Sequence, residues 1–120
     1  MSNIDYLDNL CTQIYYSYTN TKFIYKNLEI LAQESYSKEI RILKSGLYFL
    51  SLSCFLNPDG KTGKIYVNNN VICLTPSTAT TNIGQPSAAS CVLQLTENDV
   101  VKFEIEDFAK DMSAVCVKVN

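Results

Sequence analysis

The stretch that decides the fold is GLYFLSLSCFL, residues 46–56. A strand with one wet face alternates apolar and polar side chains. Here both alternating sets are largely apolar. One set contains Tyr48, Leu50, Leu52, Cys54 and Leu56, and the other contains Leu47, Phe49 and Phe55 with Ser51 and Ser53 between them. Both faces of this strand are therefore expected to be covered.

A second sheet accounts for one face only. Leaving Leu47, Phe49 and Phe55 in water would forfeit about 1.5–3 kcal/mol each, and the sum is comparable with the whole stability of a domain, about 5–15 kcal/mol. Two possibilities remain for burying the second face of this strand: the chain's own N-terminal strands, or neighbouring copies of the subunit. Ser51 and Ser53 allow backbones to approach closely, so we favour the subunit interface.

Composition limits the function classes. A chain of 120 residues is one domain, and 47% hydrophobic against 18% charged residues predicts a well-packed globule. A net charge of -2 without a Lys/Arg cluster disfavours nucleic-acid binding. The N-terminus lacks the pattern of a signal peptide, and no apolar run is long enough to span a bilayer. We expect a soluble product that is not exported by that route.

The cysteines are odd in number and widely spaced. This pattern favours buried thiols in a reducing compartment over a disulfide framework. The five are Cys11, Cys54, Cys73, Cys91 and Cys116.

Short runs rich in Ile, Val, Tyr and Phe recur between Gly, Asn, Pro and Ser, and helical periodicity is scarce. We predict an all-β antiparallel two-sheet jelly-roll sandwich, with residues 21–120 as the domain and residues 1–20 as an N-terminal arm or attachment segment. Residues 1–10 read equally as a short helix, a free arm or a strand. The predicted strands are 12–18, 22–31, 39–43, 46–56, 64–68, 71–75, 88–95, 99–106 and 112–119.

Turn chemistry supports these boundaries. Residues 57–60, NPDG, and residues 68–70, NNN, are predicted reversals, and Asn98 marks another. Residues 76–87 form one long polar loop, which together with the turn at 57–63 is expected to be exposed and free to meet a partner.

Catalytic chemistry has little support. The chain has no His, which removes the commonest general base and transition-metal ligand, and it has no CxxC pair or glycine-rich phosphate loop. The acidic run EIEDFAKD, residues 104–111, could hold paired carboxylates or Ca²⁺, but a solvated strand face is the expected reading. We predict no catalytic, cofactor or metal site, and not an enzyme.

A tyrosine-rich stretch, QIYYSYTNTKFIY at residues 13–25, is either a sugar-binding platform or ordinary strand packing. The partner-binding candidates are Tyr15, Tyr16 and Tyr18, together with Asn57 and Asp59 in the exposed turn.

Four segments, over about two thirds of the chain, resemble the globular head of complement component one-q, the tumour necrosis factor-like jelly roll: residues 45–56, 63–72, 87–105 and 113–119. The matching motifs are Gly46 with Tyr48, residues 65–69 and residues 93–101. Asn98 stands where the family prefers Gly, which is acceptable because both residues adopt positive φ. The family's N-terminal strands are not recognisable in residues 1–38.

The resemblance implies a compact homotrimer with apolar side chains packed along a three-fold axis, and no cofactor. The interface candidates are Leu47, Tyr48, Phe49, Phe55, Tyr66 and Phe103. It also implies a non-enzymatic structural or adhesion module. We expect a phage head fibre or capsid decoration protein in the virion, docked through its N-terminal arm to a capsid protein, or a tip domain on a cell or spore surface.

Two alternatives stay open. One is a secreted or surface-displayed ligand-binding module, cytokine-like or lectin-like, that takes a glycan or a receptor. The other, a minor one, is an enzyme that uses carboxylates alone, with Glu104 and Asp107 as its candidates.

Overall fold

Two antiparallel five-stranded sheets make up the computed structural model, which describes residues 13–17, 22–24, 27–34, 36–56, 62–75, 85–105 and 109–120. Sheet one has the strand order β2-β1-β10-β5-β8 and sheet two the order β3-β4-β9-β6-β7. The strands are β1 (Gln13–Ser17), β2 (Lys22–Ile24), β3 (Leu28–Gln33), β4 (Ser37–Ile42), β5 (Gly46–Leu56), β6 (Lys64–Val67), β7 (Asn70–Leu74), β8 (Gln85–Leu95), β9 (Val100–Glu104) and β10 (Ala109–Lys118). The predicted all-β two-sheet sandwich is confirmed.

The core lies between the sheets, and β5 supplies much of it from the centre of sheet one. Tyr48, Leu50 and Leu52 are fully buried, and they face buried side chains of β4, β6 and β9 in sheet two. Those partners include Ile40, Ile42, Ile65, Val101 and Phe103. The alternation in β5 therefore separates a core-facing set from an outward set, as the sequence predicts.

The outward set is not covered by the N-terminal strands. β1 pairs with β10 in antiparallel register, Gln13 with Val117 and Ser17 with Ser113, and β2 pairs with β1. These strands extend the edge of sheet one instead of lying across its outer face. Among the described residues, the first of the two predicted covers is therefore wrong.

Residues 1–20 are not wholly an arm, because β1 is hydrogen-bonded into sheet one. The tyrosine-rich alternation forms a strand there, as strand patterning at 12–18 indicated. Residues 1–12 and 18–20 lie outside the described residues, and their predicted role as an attachment segment stays a prediction.

The predicted strand at 22–31 is two strands in different sheets. Asn27 has φ 68°, a left-handed backbone that breaks the run and passes the chain from β2 to β3. β8 also begins at Gln85, earlier than the predicted start at residue 88. Pro86 pairs in register with Phe55, and an edge strand such as β8 tolerates proline. The polar loop is correspondingly shorter.

The asparagine turns are confirmed where the structure describes them. Asn68 and Asn69 close the β6–β7 hairpin with φ of 50° and 68°. The Asn68 side chain donates to Asp99 Oδ1 at 2.9 Å and accepts from the Val100 amide at 2.9 Å. It thereby fastens this hairpin to the β8–β9 turn. The predicted turn at 57–60 lies outside the described residues.

Two of the six predicted interface residues are contradicted by the structure, and a third, Tyr66, lies on the other sheet and stays a prediction. Tyr48 and Phe103 are fully buried in the chain's own core, so neither side chain can face another subunit. Tyr66 lies on the outer side of β6 in sheet two, away from Phe49 and its neighbours on sheet one.

No helix in the described part of the chain is long and apolar enough to cross a membrane.

Candidate interaction surface on the first sheet

Neither β5 nor β8 contains a charged residue, although each strand is eleven residues long. The two strands pair over their whole length, and β10 flanks β5 on its other side. We use the term uncharged face for this set of outward positions on the three strands: Leu47, Phe49, Ser51, Ser53, Phe55, Pro86, Ala88, Ser90, Val92, Gln94, Ser113, Val115 and Val117. Lys110 of β10 is not included: its backbone lies opposite Phe55, and its side chain lies outside the described residues.

The uncharged face has large apolar side chains toward both ends and small ones in the middle. Phe49 lies in register with Val92 on one side and Val117 on the other. Phe55 lies opposite Pro86 at the other end of the strand pair. Between them the register positions of β5 and β8 hold Ser and Ala, which leave room for another backbone to approach, and β10 adds Val115 opposite Ser51.

The outward residues of β5 are half-buried in the single chain, and Val92 is 57% exposed. All ten described strands belong to the two sheets, so none of them lies across this face. Contiguous apolar area of this kind is typical of interaction sites.

The outer side of sheet two has the opposite character. Arg41 lies 3.9 Å from Glu29, and Lys102 lies 3.2 Å from Glu104. The Lys102 ammonium also stands 5.0 Å from the Tyr66 ring centre, and the Tyr66 hydroxyl donates to Glu104 at 3.1 Å. Partial burial and the Glu104 carboxylate raise the pKa of the Tyr66 phenol. This side is a solvated, ion-paired surface.

The open side of the sandwich, between β7 and β8, carries further exposed apolar side chains. Val71 is 48% exposed, Ile72 39% and Leu74 54%. β7 and β8 are the terminal strands of their sheets in the described structure, and unpaired strand edges promote association. Val71 and Leu74 lie opposite Tyr66 and Lys64, on the outer side of sheet two at the β7 edge, whereas Val92 lies on the outer side of sheet one at the β8 edge.

A shallow depression of about 400 Å³ opens at the far end of β5 and β8. Its lining includes Cys54, Phe55 and Ser87, with no charged side chain. Burial raises the pKa of the Cys54 thiol, which keeps it protonated and a poor nucleophile at neutral pH. The described lining residues of the depression are therefore apolar or neutral polar.

The remaining predicted site residues are only partly described. Among the described residues, no three His, Cys, Asp or Glu side chains lie together as a metal site. Glu104 is engaged by Lys102 and Tyr66, as expected for a solvated strand face. Of the partner candidates, Tyr15 and Tyr16 have their backbones in β1 opposite Val115 and Ala114. The side chains of these two tyrosines, and Tyr18, Asn57, Asp59 and Asp107, lie outside the described residues.

Comparison with known proteins rests on solved structures, because no protein-family model and no curated protein sequence matches the chain. GITRL from pika superposes with a TM-score of 0.67 at 13% identity, over 90% of this chain and 97% of that one. Murine APRIL at pH 5.0 gives 0.55 at 16% identity, over 78% of each chain. The fold is a tumour necrosis factor-like jelly roll.

The complement one-q side of the resemblance has a match as well. The globular domain of zebrafish complement 1qA gives a TM-score of 0.51 at 13% identity, over 66% of this chain and 64% of that one. The predicted jelly-roll fold is thus supported by matches to both groups of structures. At these identities the likeness shows a shared tumour necrosis factor-like fold, and it assigns no ligand to this chain.

The alternating faces of β5 were recognisable in the sequence, but the roles of β8 and β10 were not. β8 is rich in small and polar residues, and its part in the uncharged face depends on its pairing with β5, which is distant in sequence: the pairs run from Leu56 with Gln85 to Gly46 with Leu95. The available signal was the absence of charge along all of Gln85–Leu95.

Proposed function

We propose that the chain is a non-enzymatic binding module that assembles into a homotrimer through the uncharged face and displays its loop ends to a protein receptor or a saccharide. One observation carries this proposal. β5 and β8, without a charge between them, hold Phe49 and Val92 on the outside of a sheet that no described strand covers. A second copy of the chain is the cover that suits this surface.

The arrangement of the apolar surfaces supports a ring over a simple two-fold dimer. A two-fold contact would join identical patches, uncharged face to uncharged face, and would leave Val71 and Leu74 at the edge exposed. Seating the edge of one copy on the uncharged face of the next uses both surfaces, and such a contact repeats until the ring closes. The family resemblance implies three copies in that ring.

The comparisons favour the ligand-binding alternative over the virion role. GITRL and APRIL are tumour necrosis factor-family ligands, and both share this fold over most of the chain. The ion-paired outer side of sheet two suits the solvent-facing exterior of such an assembly. A display position on a cell, spore or virion surface would leave it accessible to a partner.

A virion head fibre or decoration protein is the narrower proposal, and the sequence resemblance is its only support. Because β1 belongs to sheet one, docking to a capsid would use the residues before Gln13. Mass spectrometry of purified particles, or capsid and tail genes beside this gene, would support this role. Absence of the protein from purified particles would contradict the virion role.

Oligomeric state tests the main proposal, with matched charge substitutions on the two sheets. Phe49→Lys and Val92→Lys place an ammonium on the uncharged face, whereas Leu31→Lys places one on an exposed position of β3 in sheet two. We expect a trimer by sedimentation velocity for the wild type and for Leu31→Lys, and smaller species for the other two. Val92 is largely exposed, so its substitution separates lost assembly from lost folding.

Two results would contradict the proposal. One is a wild-type monomer at micromolar concentration. The other is a trimer that withstands both Phe49→Lys and Val92→Lys with circular dichroism unchanged. Ligand class is tested separately, by probing a glycan array and a panel of displayed receptor ectodomains with the intact trimer. The carboxylate-enzyme alternative is tested with Glu104→Gln. A variant whose binding and activity both match the wild type would argue against that alternative.

A further inference from the structure

Two half-buried cysteines face each other across the open side of the sandwich. Cys73 lies in β7 beside Ile65, and Cys91 lies in β8 beside Leu50. Ile65 and Leu50 are fully buried, and antiparallel neighbours share a face. Both thiols therefore point inward, one from the edge strand of each sheet, and both pack against the core.

The two cysteines are neighbours across the edge. Cys73 Sγ stands 4.0 Å from the carbonyl oxygen of Ser90, the residue next to Cys91. Burial raises the pKa of the Cys91 thiol, and the nearby Cys73 side chain raises it further. In contrast, Cys54 is 4% exposed and Cys116 fully buried, each inside sheet one. All four are reduced in this structure.

We infer that Cys73 and Cys91 are a modification site, a dithiol that a low-molecular-weight disulfide oxidises to a single cross-sheet bond. The bond joins β7 to β8, strands that share no backbone ladder in the described structure. It would close the side of the sandwich where the described strands of the two sheets have no backbone pairing with each other. The proposed trimer would cover this β7–β8 edge, so the oxidation is expected of the dissociated chain, and the inference does not require the trimer to form.

The chemistry balances with oxidised glutathione as the oxidant. One cysteine thiolate attacks a glutathione sulfur, a glutathione thiolate leaves, and a mixed disulfide remains. The second thiolate then attacks the protein sulfur of that mixed disulfide, forms the Sγ–Sγ bond and releases the second glutathione thiolate. The two protons lost by the protein thiols pass through solvent to the two glutathione thiolates, and the two electrons lost by the protein sulfurs reduce the glutathione disulfide to two thiols.

The experiment uses the whole chain with Cys11→Ser, which removes a thiol that lies outside the described residues. The reduced protein is incubated with oxidised glutathione, digested without reduction and mapped by mass spectrometry. We expect a peptide pair joined through Cys73 and Cys91. A bond that closes a loop of roughly 18 residues should raise the Tm by about 10 °C, and dithiothreitol should reverse the shift.

Cys73→Ser and Cys91→Ser are the matched controls, and each should lose both the joined peptides and the Tm shift. Oxidation that leaves Cys73 and Cys91 free, or that joins either of them to Cys54 or Cys116, would overturn the inference. So would the same thermal shift in both serine variants.

Discussion

Asparagine does the work of glycine in the described backbone. Every residue there with a left-handed φ is an Asn, at positions 27, 68, 69 and 98, and no described glycine adopts that conformation. Asn tolerates it better than other side chains with a Cβ, because its short amide bonds locally to the backbone. The chain can thus make tight reversals with only four glycines.

Asn98 is the residue at which this substitution is most easily tested. Its φ is 76°, and its backbone N–H donates to the Ile42 carbonyl oxygen at 2.7 Å, which holds the β8–β9 turn against β4. Asn98→Ala should lower the free energy of unfolding by about 1–2 kcal/mol, because alanine is strained at positive φ. Asn98→Gly keeps the allowed backbone and should fall within about 0.5 kcal/mol of the wild type in urea denaturation. Equal losses in the two variants would contradict the backbone explanation.

The buried thiol of Cys116 predicts a loss of stability at high pH. Burial raises its pKa from the ordinary value of 9.0 to about 12, and burial raises the pKa of the nearby Tyr48 phenol as well. Between pH 9 and 12 the unfolded chain has released the thiol proton while the folded chain still holds it. The free energy of unfolding therefore falls as pH rises, by about 1.4 kcal/mol per pH unit from this group.

Cys116→Val isolates that contribution, because valine keeps an apolar side chain of similar size and cannot ionise. Measured by urea denaturation at about pH 8 and about pH 11, the wild type should lose roughly 2 kcal/mol more than the variant. Parallel losses in the two proteins would show that other groups carry the pH dependence.

At the scale of elements, Gly63 and Thr75 tie the start of β6 to the end of β7. The Gly63 amide donates to Thr75 Oγ1 at 2.7 Å, and the Thr75 amide donates back to the Gly63 carbonyl at 2.9 Å. Thr75 is 1% exposed. Thr75→Val keeps the shape but leaves the Gly63 N–H unsatisfied, which should cost about 1–3 kcal/mol of unfolding free energy. Thr75→Ser keeps the hydroxyl and serves as the control, and a smaller loss for Val than for Ser would contradict this account.

The elements that were predictable are those with a local period. β5 was predicted with its exact bounds, since alternation and flanking turns agree. The same alternation could have excluded two wrong interface candidates. Tyr48 and Phe49 are adjacent in one strand and must point to opposite faces, and Phe103 alternates with Lys102 and Glu104. Apolar type alone led to their inclusion, although the period already separated them.

What could not be predicted depends on long-range pairing. Nothing within residues 22–31 shows that the chain changes sheets at Asn27, because both halves favour strands equally. The uncharged face is assembled from β5, β8 and β10, which are distant in sequence, and the nearness of Cys73 and Cys91 arises from how two sheet edges meet. Such contacts follow from topology, which the family resemblance implied and residue patterns alone did not.

Across the whole molecule, the two outer faces differ in the kind of environment they suit. The outer side of sheet two pairs Glu29 with Arg41 and Lys102 with Glu104. These charged side chains stay partly exposed, so water still solvates them. The uncharged face of sheet one gains nothing from water beyond its serines and one glutamine. Burying that face therefore brings the hydrophobic gain without the desolvation cost of charges. This asymmetry is why association is expected through sheet one.

An interface without charges predicts how assembly responds to salt and to concentration. Because no ion pair is formed or broken on the uncharged face, the dissociation constant of the trimer should change less than about threefold between about 0.05 M and about 0.5 M NaCl. The Tm should rise with protein concentration, since the folded state is stabilised by mass action. Sedimentation equilibrium and thermal scans over a dilution series measure the two effects. Leu31→Lys is the control that alters surface charge without touching the interface. A trimer that falls apart as salt is raised would place charged residues in the contact and move the interface to sheet two.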